Sequence, residues 1–170
     1  PCPHQRASAS ARGESTVGEP SSLESALIDA SRLLTAEAVS HALIGSIADS
    51  VRTGWARATP NVDFALQSAT SRESLVAAFV TAGLQHKGAF EHTVTFTHPN
   101  GALVQLASNP IFDQPIERAE FLSIGGSQVP VVRRDDLIVH KERSAVHPRR
   151  RKSIALQDQA DIERLRGDVG

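Results

Sequence analysis

The pattern of apolar and polar positions predicts alternating helices and short strands along the first half of the chain. Leu23, Leu27 and Ala30 recur at helical spacing, and Ser21 with Glu24 is typical of a capping box at the start of that helix. We therefore predict a first helix that ends near residue 37 or 38.

A short strand, a helix, a second strand and a third helix are predicted next. Residues 41–44 are apolar and stop at a Gly-Ser turn, and a helix that starts at about residue 47 ends at Gly54. Residues 62–66 belong to a segment that alternates apolar and polar positions, as a strand with one buried face does. A second capping box is expected at residues 70–73, before a helix that stops at Gly83. The buried stripe of that helix is expected at Leu75, Ala78, Phe79 and Ala82.

The second half of the chain is rich in strand and turn signals and then becomes helical. An Asn-Gly pair within residues 98–101 predicts a tight turn between two strands. The fold class that follows is α/β (α+β), a mixed β-sheet with helices packed against it and two C-terminal helices. The predicted elements are strands over 91–97, 102–107, 120–124 and 127–132, and helices over 134–145 and 154–165.

Composition and charge restrict the class of protein. The 170 residues are 40% hydrophobic and 22% charged, which suits one domain, and the net charge of −1 gives no overall field to attract nucleic acid. A single cysteine, Cys2, excludes an internal disulfide and favours a reducing, cytoplasmic compartment. No apolar run is long enough for a membrane span. Residues 1–20, rich in Ser, Ala, Arg, Gly and Pro, are predicted to be a disordered tail, and residues 21–170 the domain.

The turn at Gly45-Ser46 is the first candidate site. A glycine lets a phosphate approach the backbone, and the N-terminus of the next helix presents free N–H groups to an anion. The alternative is an ordinary turn between a strand and a helix, since glycine is common in turns.

The second candidate site is the strand that carries Asn61 and Asp63. Residues two apart in a strand point to the same face, so two oxygen-bearing side chains stand together. A hard cation such as Mg²⁺ needs such oxygens when it also binds nucleotide phosphates. The alternative is a polar strand edge, with Asn61 as a turn residue after Pro60.

These two segments resemble nucleotidyltransferases of the AbiEii/AbiGii toxin type. Residues 41–48 match the family's strand, Gly-Ser turn and short helix, and residues 57–64 resemble its Arg-x-Thr-x-Asp-x-Asp pattern. Residues 129–132, 136–141 and 158–165 are similar to its closing segments, so the resemblance covers residues 22–166.

The resemblance implies a nucleotide at Gly45 and Ser46, with Mg²⁺ between its phosphates and the acids. It implies transfer of a nucleotidyl group to an acceptor such as RNA or protein, and a cognate antitoxin if the chain is the toxin of a bacterial toxin–antitoxin pair. The other positions that match the family's nucleotide site are Arg57, Thr59, Lys141 and Asp158.

The chain departs from the family at two of three acidic positions. Asn61 stands where the first acid is expected, and Gln105 stands where the third is expected, so only Asp63 remains as a metal ligand. Replacing a carboxylate by an amide beside a dication forfeits about 4 kcal/mol of attraction at an effective dielectric near 20. The sequence leaves open whether nearby acids compensate. The acids that could do so are Asp49, Glu91 and Asp113.

A basic run before the last helix is the remaining candidate. It could contact phosphate of a nucleotide or RNA, or it could be a solvated loop between helices. The histidines are scattered without the spacing of a helical metal site, which argues against zinc. Cys2 lies in the predicted tail, which argues against a cysteine nucleophile. Ser46 has no nucleophile-elbow motif, which argues against a serine hydrolase. The basic residues are Arg149, Arg150, Arg151 and Lys152.

Three functional hypotheses follow. The first is a nucleotidyltransferase-fold protein with a degenerate active site that binds nucleotide or a protein partner without catalytic turnover. The second is an active enzyme that uses Mg²⁺ and an NTP. The third is a non-catalytic interaction module that uses the sheet alone.

Overall fold

Local sequence signals set the boundaries of the first helices. The hydroxyl of Ser21 accepts a hydrogen bond from the Glu24 amide at 3.1 Å, as the capping pattern predicts. Gly54 closes the second helix in the left-handed conformation that glycine adopts without strain. In this computed structural model the described residues are 21–56 and 58–167. The helices are α1 (Ser22–Ala36), α2 (Gly45–Thr53), α3 (Arg72–Thr81), α4 (Asp113–Glu117), α5 (Arg134–Ala145) and α6 (Lys152–Arg166).

The strands form one seven-stranded mixed sheet in the order β3-β4-β5-β2-β1-β7-β6. The pairs β2·β5 and β1·β7 are parallel, and the other neighbouring pairs are antiparallel. The predicted fold class is therefore confirmed. The strands are β1 (His41–Ile44), β2 (Asn61–Leu66), β3 (Gln85–Phe90), β4 (Thr93–Thr97), β5 (Leu103–Ala107), β6 (Glu120–Ile124) and β7 (Ser127–Val131).

One face of the central strands packs into the hydrophobic core. Phe64 is fully buried and its ring meets the edge of the His41 ring, which in turn bonds Ser31 of α1 at 3.0 Å. Because side chains alternate along a strand, the neighbouring Asp63 projects from the opposite face of the sheet. Helices α2 and α4 pack against β1 and β2, and α5 and α6 pack against each other and α2.

Three elements in two segments were not expected from the sequence. Strand β3 is mostly exposed and lacks an apolar alternation, and a register shift between His86 and Gly88 interrupts its pairing with β4. A 3₁₀ turn (Pro110–Phe112) continues into α4 between the two predicted hairpins. These elements form where pairing and packing with distant residues outweigh weak local signals.

Three local predictions are wrong. Ser71 rather than Thr70 caps α3, because its hydroxyl accepts from the amide of Ser74 at 3.3 Å. Ala82 is exposed beyond the end of α3, so it does not belong to the buried stripe. Strand β4 begins at Thr93 instead of residue 91, since Glu91 has a positive φ of 49° within a turn.

Candidate functional site

The turn at Gly45 lies directly against the acid of the next strand. Ile44 pairs with Asp63 across β1 and β2, which brings the two segments to the same end of the sheet. A Cβ added at Gly45 would stand 2.6 Å from Oδ2 of Asp63, and φ at Gly45 is +73°. A side chain at position 45 is therefore disfavoured by backbone strain and would require Asp63 to shift. Ser46 lies beside Gly45 in the first turn of α2 and lines the same cleft.

The three positions of the expected acid set lie on one face of the sheet. Asn61 and Asp63 are two residues apart on β2, and Asp63 pairs with Gln105 on the parallel strand β5. All three line one cleft with a volume of about 550 Å³. The Oδ1 atom of Asn61 is shielded from solvent and has no hydrogen-bond partner within residues 21–56 and 58–167.

Asp63 has an unusual protonation equilibrium for an aspartate. Burial raises the pKa of its carboxyl to about 6, and the attraction of Lys141 only partly opposes that rise. The carboxylate is therefore poorly compensated by the surrounding protein. A cation or a hydrogen-bond donor that enters the cleft would be stabilised by this charge.

Lys141 is the buried cation of the cleft. Its ammonium lies 2.7 Å from Asp49, 3.0 Å from Asp161 and 3.7 Å from Asp158. Burial by itself would lower the pKa of Lys141, but Asp49 and Asp161 outweigh burial and raise it. Lys141 thus joins α5 to α2 and α6 beneath the cleft, in addition to lining it.

Two arginines complete the charge balance around Lys141. Arg150 donates to Oδ2 of Asp158 through Nε at 3.1 Å and through Nη2 at 2.7 Å. Arg164 lies 3.5 Å from Asp161 and stacks over the Trp55 ring at 5.5 Å. Three cations and three carboxylates therefore form one network, defined by Lys141, Arg150, Arg164, Asp49, Asp158 and Asp161.

The remaining predicted positions divide between the cleft and its surroundings. Arg150 lines the cleft, as do Lys141 and Asp158, whereas Thr59 is half-buried and exchanges hydrogen bonds with the Asn61 backbone. Arg57 lies outside the described residues. The other members of the basic run are exposed and do not line the cleft; they are Arg149, Arg151 and Lys152.

The three acids that could compensate for Asn61 and Gln105 have different partners and positions. Asp49 is paired with Lys141. Asp113 accepts hydrogen bonds from the amide and hydroxyl of Ser68, at 2.8 and 2.6 Å, and does not line the cleft. Glu91 is exposed and lines the cleft. In the described part of the chain, no group of three or more His, Cys, Asp or Glu side chains could hold a metal ion.

His140 is one of the cleft-wall residues that sequence reasoning did not predict. His140 lines the cleft beside Lys141, and its ring packs against Phe112 at 4.8 Å. Burial, reinforced by Lys141, lowers the pKa of His140 to about 4, so the imidazole is neutral near pH 7. The only signal in the sequence was its place before Lys141 in α5, which does not by itself indicate a site.

Comparison with known proteins identifies the fold. Lincosamide antibiotic adenylyltransferase LnuA, solved with lincomycin bound, is 13% identical, with 84% of this chain and 96% of that chain covered and a TM-score of 0.61. The chain has the nucleotidyltransferase fold. An antigenic nucleotidyltransferase-like protein from Paracoccidioides brasiliensis is 19% identical over 84% of this chain and 74% of that one, with a TM-score of 0.60. The antibiotic-resistance factor ANT(2'')-Ia is 16% identical over 86% and 83%, with a TM-score of 0.59.

Comparison of the sequence with protein families and curated proteins identifies no relative of this nucleotidyltransferase-fold protein. No family model matches the sequence, and no curated protein matches it. In the described residues, no helix is both long and apolar enough to cross a membrane.

The donor set of the cleft does not fit a resident Mg²⁺ ion. Magnesium in proteins is bound through carboxylates and waters in octahedral geometry. Here Asp63 is flanked by the amides of Asn61 and Gln105, and its pKa of about 6 reflects a carboxylate that favours its neutral form more than usual.

Proposed function

We propose that this chain is a nucleotidyltransferase-fold protein of the AbiEii toxin type that binds a nucleotide and transfers it slowly or not at all. The observation that carries the proposal is that the turn at Gly45 and the side chain of Asp63 line one cleft, in which Asn61 and Gln105 stand where the family has carboxylates. The turn can accept phosphate oxygens, because α2 begins there with free N–H groups. The missing acids remove most of the charge that would anchor a catalytic metal ion.

Binding of the nucleotide is the first part of the test. We expect isothermal titration calorimetry to detect binding of at least one of the four nucleotides ATP, GTP, CTP and UTP. Arg150, which lines the cleft, is the proposed phosphate ligand, and Arg150→Gln should weaken binding about tenfold or more because a charge-assisted hydrogen bond is lost. Arg149→Gln is the matched control, since Arg149 belongs to the same basic run but does not line the cleft. Equal losses in both variants would assign the effect to general surface charge.

Restoration of the acid set is the second part of the test. With labelled nucleotide and Mg²⁺, the unchanged protein should show little transfer, and the double variant Asn61→Asp with Gln105→Asp should gain transfer. The gain must disappear when Asp63→Asn is added, because all three carboxylates are then needed together. Absence of any gain in a variant that still binds nucleotide would show that more than the ligands is missing.

An active Mg²⁺-dependent transferase is the second candidate, and one observation favours it. Glu91 is a further carboxylate in the cleft lining and could supply part of the missing charge. Transfer by the unchanged protein that Asp63→Ala abolishes would establish this alternative. The acceptor could be RNA, protein or, as the antibiotic-bound structures with this fold illustrate, a small molecule. A cognate antitoxin, if one exists, is the expected protein partner.

A non-catalytic interaction module makes the opposite prediction for the cleft. Such a module would bind no nucleotide, and substitution of Gly45 or Asp63 would leave partner binding unchanged. The exposed residues Arg149, Arg151 and Lys152 would then be the natural RNA or protein contacts, and a salt-sensitive interaction would identify them.

A further inference from the structure

The cleft extends beyond Asp63 and Gln105 to the hairpin that joins β3 to β4. Because the strands lie in the order β3-β4-β5-β2-β1, this end of the cleft is separated from the Gly45 turn by the strands that carry Asp63 and Gln105. A ligand that begins at the turn can therefore pass those two side chains and reach the hairpin. The residues of the hairpin that line the cleft are Phe90, Glu91, His92 and Thr93.

The register of the sheet puts the Phe90 side chain on the same face as Gln105 and Asp63. Phe90 pairs with Thr93, and Thr93 pairs with Ala107, which is two residues from Gln105 on β5. Directly paired residues, like residues two apart on one strand, project from the same face of a sheet. From the spacing of strands and the rise per residue, the Cα atoms of Phe90 and Gln105 are about 12 Å apart.

Phe90 is a phenylalanine left largely in contact with water beside the cleft. Its side chain is 72% exposed, although burying an aromatic side chain is favourable. The exposed Phe121 lies on β6 at the opposite edge of the sheet and does not line the cleft. A planar ligand in the cleft could cover Phe90 and recover part of that free energy. The buried phenylalanines are Phe64, Phe79, Phe96 and Phe112.

The hairpin that carries Phe90 is anchored on both sides. The pair of Phe90 with Thr93 closes a loop of two residues, Glu91 and His92. Arg72 of α3 donates a hydrogen bond to the Glu91 carbonyl, and the Ser108 amide donates one to the His92 carbonyl at 2.8 Å. A ligand that contacts Phe90 therefore meets a backbone already held in place, which lowers the entropic cost of binding.

We propose that Phe90 stacks on the base of a nucleotide whose phosphates bind at Gly45 and Ser46. This inference rests on the proposed function and adds to it the group that recognises the base. The ribose spans the short side chains of Ala107 and Thr93, which form the floor of the cleft between Gln105 and Phe90. Stacking accepts every base, because each has a π-face, and it favours purines because their two fused rings cover more of the side chain.

ATP and tripolyphosphate separate the contact with the base from the contacts with the phosphates. In isothermal titration calorimetry, Phe90→Ala should weaken ATP binding at least about fivefold and leave the Kd of tripolyphosphate unchanged. Phe121→Ala is the matched control and should change neither Kd, since Phe121 is equally accessible but remote from the cleft. Unchanged ATP binding in Phe90→Ala, or an equal loss for both ligands, would overturn the inference.

The shape of the side chain at position 90 tests stacking against simple apolar contact. The unchanged protein should bind ATP more tightly than UTP, and Phe90→Ala should reduce this preference. Phe90→Trp should retain the preference, whereas Phe90→Leu, which is apolar but has no ring, should lose it. A Leu variant that matches the unchanged protein with both nucleotides would contradict stacking.

The same titrations distinguish this inference from the proposal on which it rests. If the unchanged protein binds neither ATP nor tripolyphosphate, both proposals are wrong. If it binds ATP and Phe90→Ala binds ATP equally well, only the role of Phe90 is contradicted. The Phe90 variants should fold as the unchanged protein does, because the side chain is largely outside the core.

Discussion

At the residue scale, Asp63 lies so close to Gly45 that a Cβ added there would stand 2.6 Å from its Oδ2 atom. Gly45 and Gly54 begin and end the same helix with nearly equal positive φ values, +73° and +75°. Of these two glycines, Gly45 has atoms within 4 Å of the position that a Cβ would occupy, and Gly54 has none. Comparing the same substitution at Gly45 and at Gly54 therefore separates the cost of backbone strain from the cost of a steric clash with Asp63.

We predict that Gly45→Ala is more destabilising than Gly54→Ala. Both variants force an L-residue into the left-handed region, which costs about 1–2 kcal/mol. Gly45→Ala also overpacks Asp63, which should add at least about 1 kcal/mol. Urea denaturation of both variants measures the difference in the free energy of unfolding, and equal losses would mean that Asp63 moves aside freely.

The raised pKa of Asp63 predicts a pH-dependent cost to stability. Between pH 3.8 and about 6 the folded protein holds this proton more tightly than the unfolded chain does. Stability from this group is therefore lost as pH rises through the interval, and the loss is complete above about pH 6. Asp63→Asn should match the unchanged protein near pH 3.8 and exceed it by about 3 kcal/mol well above pH 6.

Denaturation of both proteins across this pH range measures the effect. The control is Asp29→Asn, which removes a carboxylate paired with His98 away from the cleft. A less stable Asp63→Asn variant well above about pH 6 would contradict the prediction, because it would mean that Lys141 compensates fully for the buried charge.

At the scale of elements, the position of the C-terminal helices depends on Lys141. This one side chain on α5 meets carboxylates of α2 and α6, so it connects three helices below the cleft. Burying an ammonium group without partners is costly, so Lys141 depends on these carboxylates. Loss of Lys141 in turn leaves the three buried carboxylates with fewer cations to balance their charge.

We predict that Lys141→Met lowers the free energy of unfolding by about 3–5 kcal/mol. Lys152→Met is the control, because Lys152 is exposed at the start of α6 and should change stability by roughly 0.5 kcal/mol or less. The double variant Lys141→Met with Asp49→Asn should recover part of the loss, since one uncompensated carboxylate is removed. Additive losses in that double variant would show that the pair is not coupled.

At the scale of the whole molecule, nucleotide binding should stabilise the entire domain. A ligand that binds only the folded state adds about 2.7 kcal/mol at a concentration one hundred times Kd. Because Asp63 is flanked by amides, the thermal shift produced by an NTP should change little when Mg²⁺ is replaced by EDTA. Melting curves with and without Mg²⁺ measure this, and a shift that requires Mg²⁺ would contradict the incomplete acid set.

The chain's own sequence determined most of the scaffold. Ser21 caps α1, Gly54 ends α2 and the Asn-Gly turn joins β4 to β5, because each effect acts over a few neighbouring residues. The Gly-Ser turn and the alternation around Asp63 also predicted two segments that line the candidate cleft. The proposal that residues 1–20 form a tail rests on composition alone.

Only the tertiary structure decided which of these residues meet. The parallel pairing of β2 with β5 places Gln105 beside Asp63, although 41 positions separate them along the chain, and packing of α5 on α6 engages Lys141 with Asp158 and Asp161. Strand β3 and the segment with α4 escaped prediction for the same reason. Their formation depends on contacts between distant residues, whose strength local patterns do not encode.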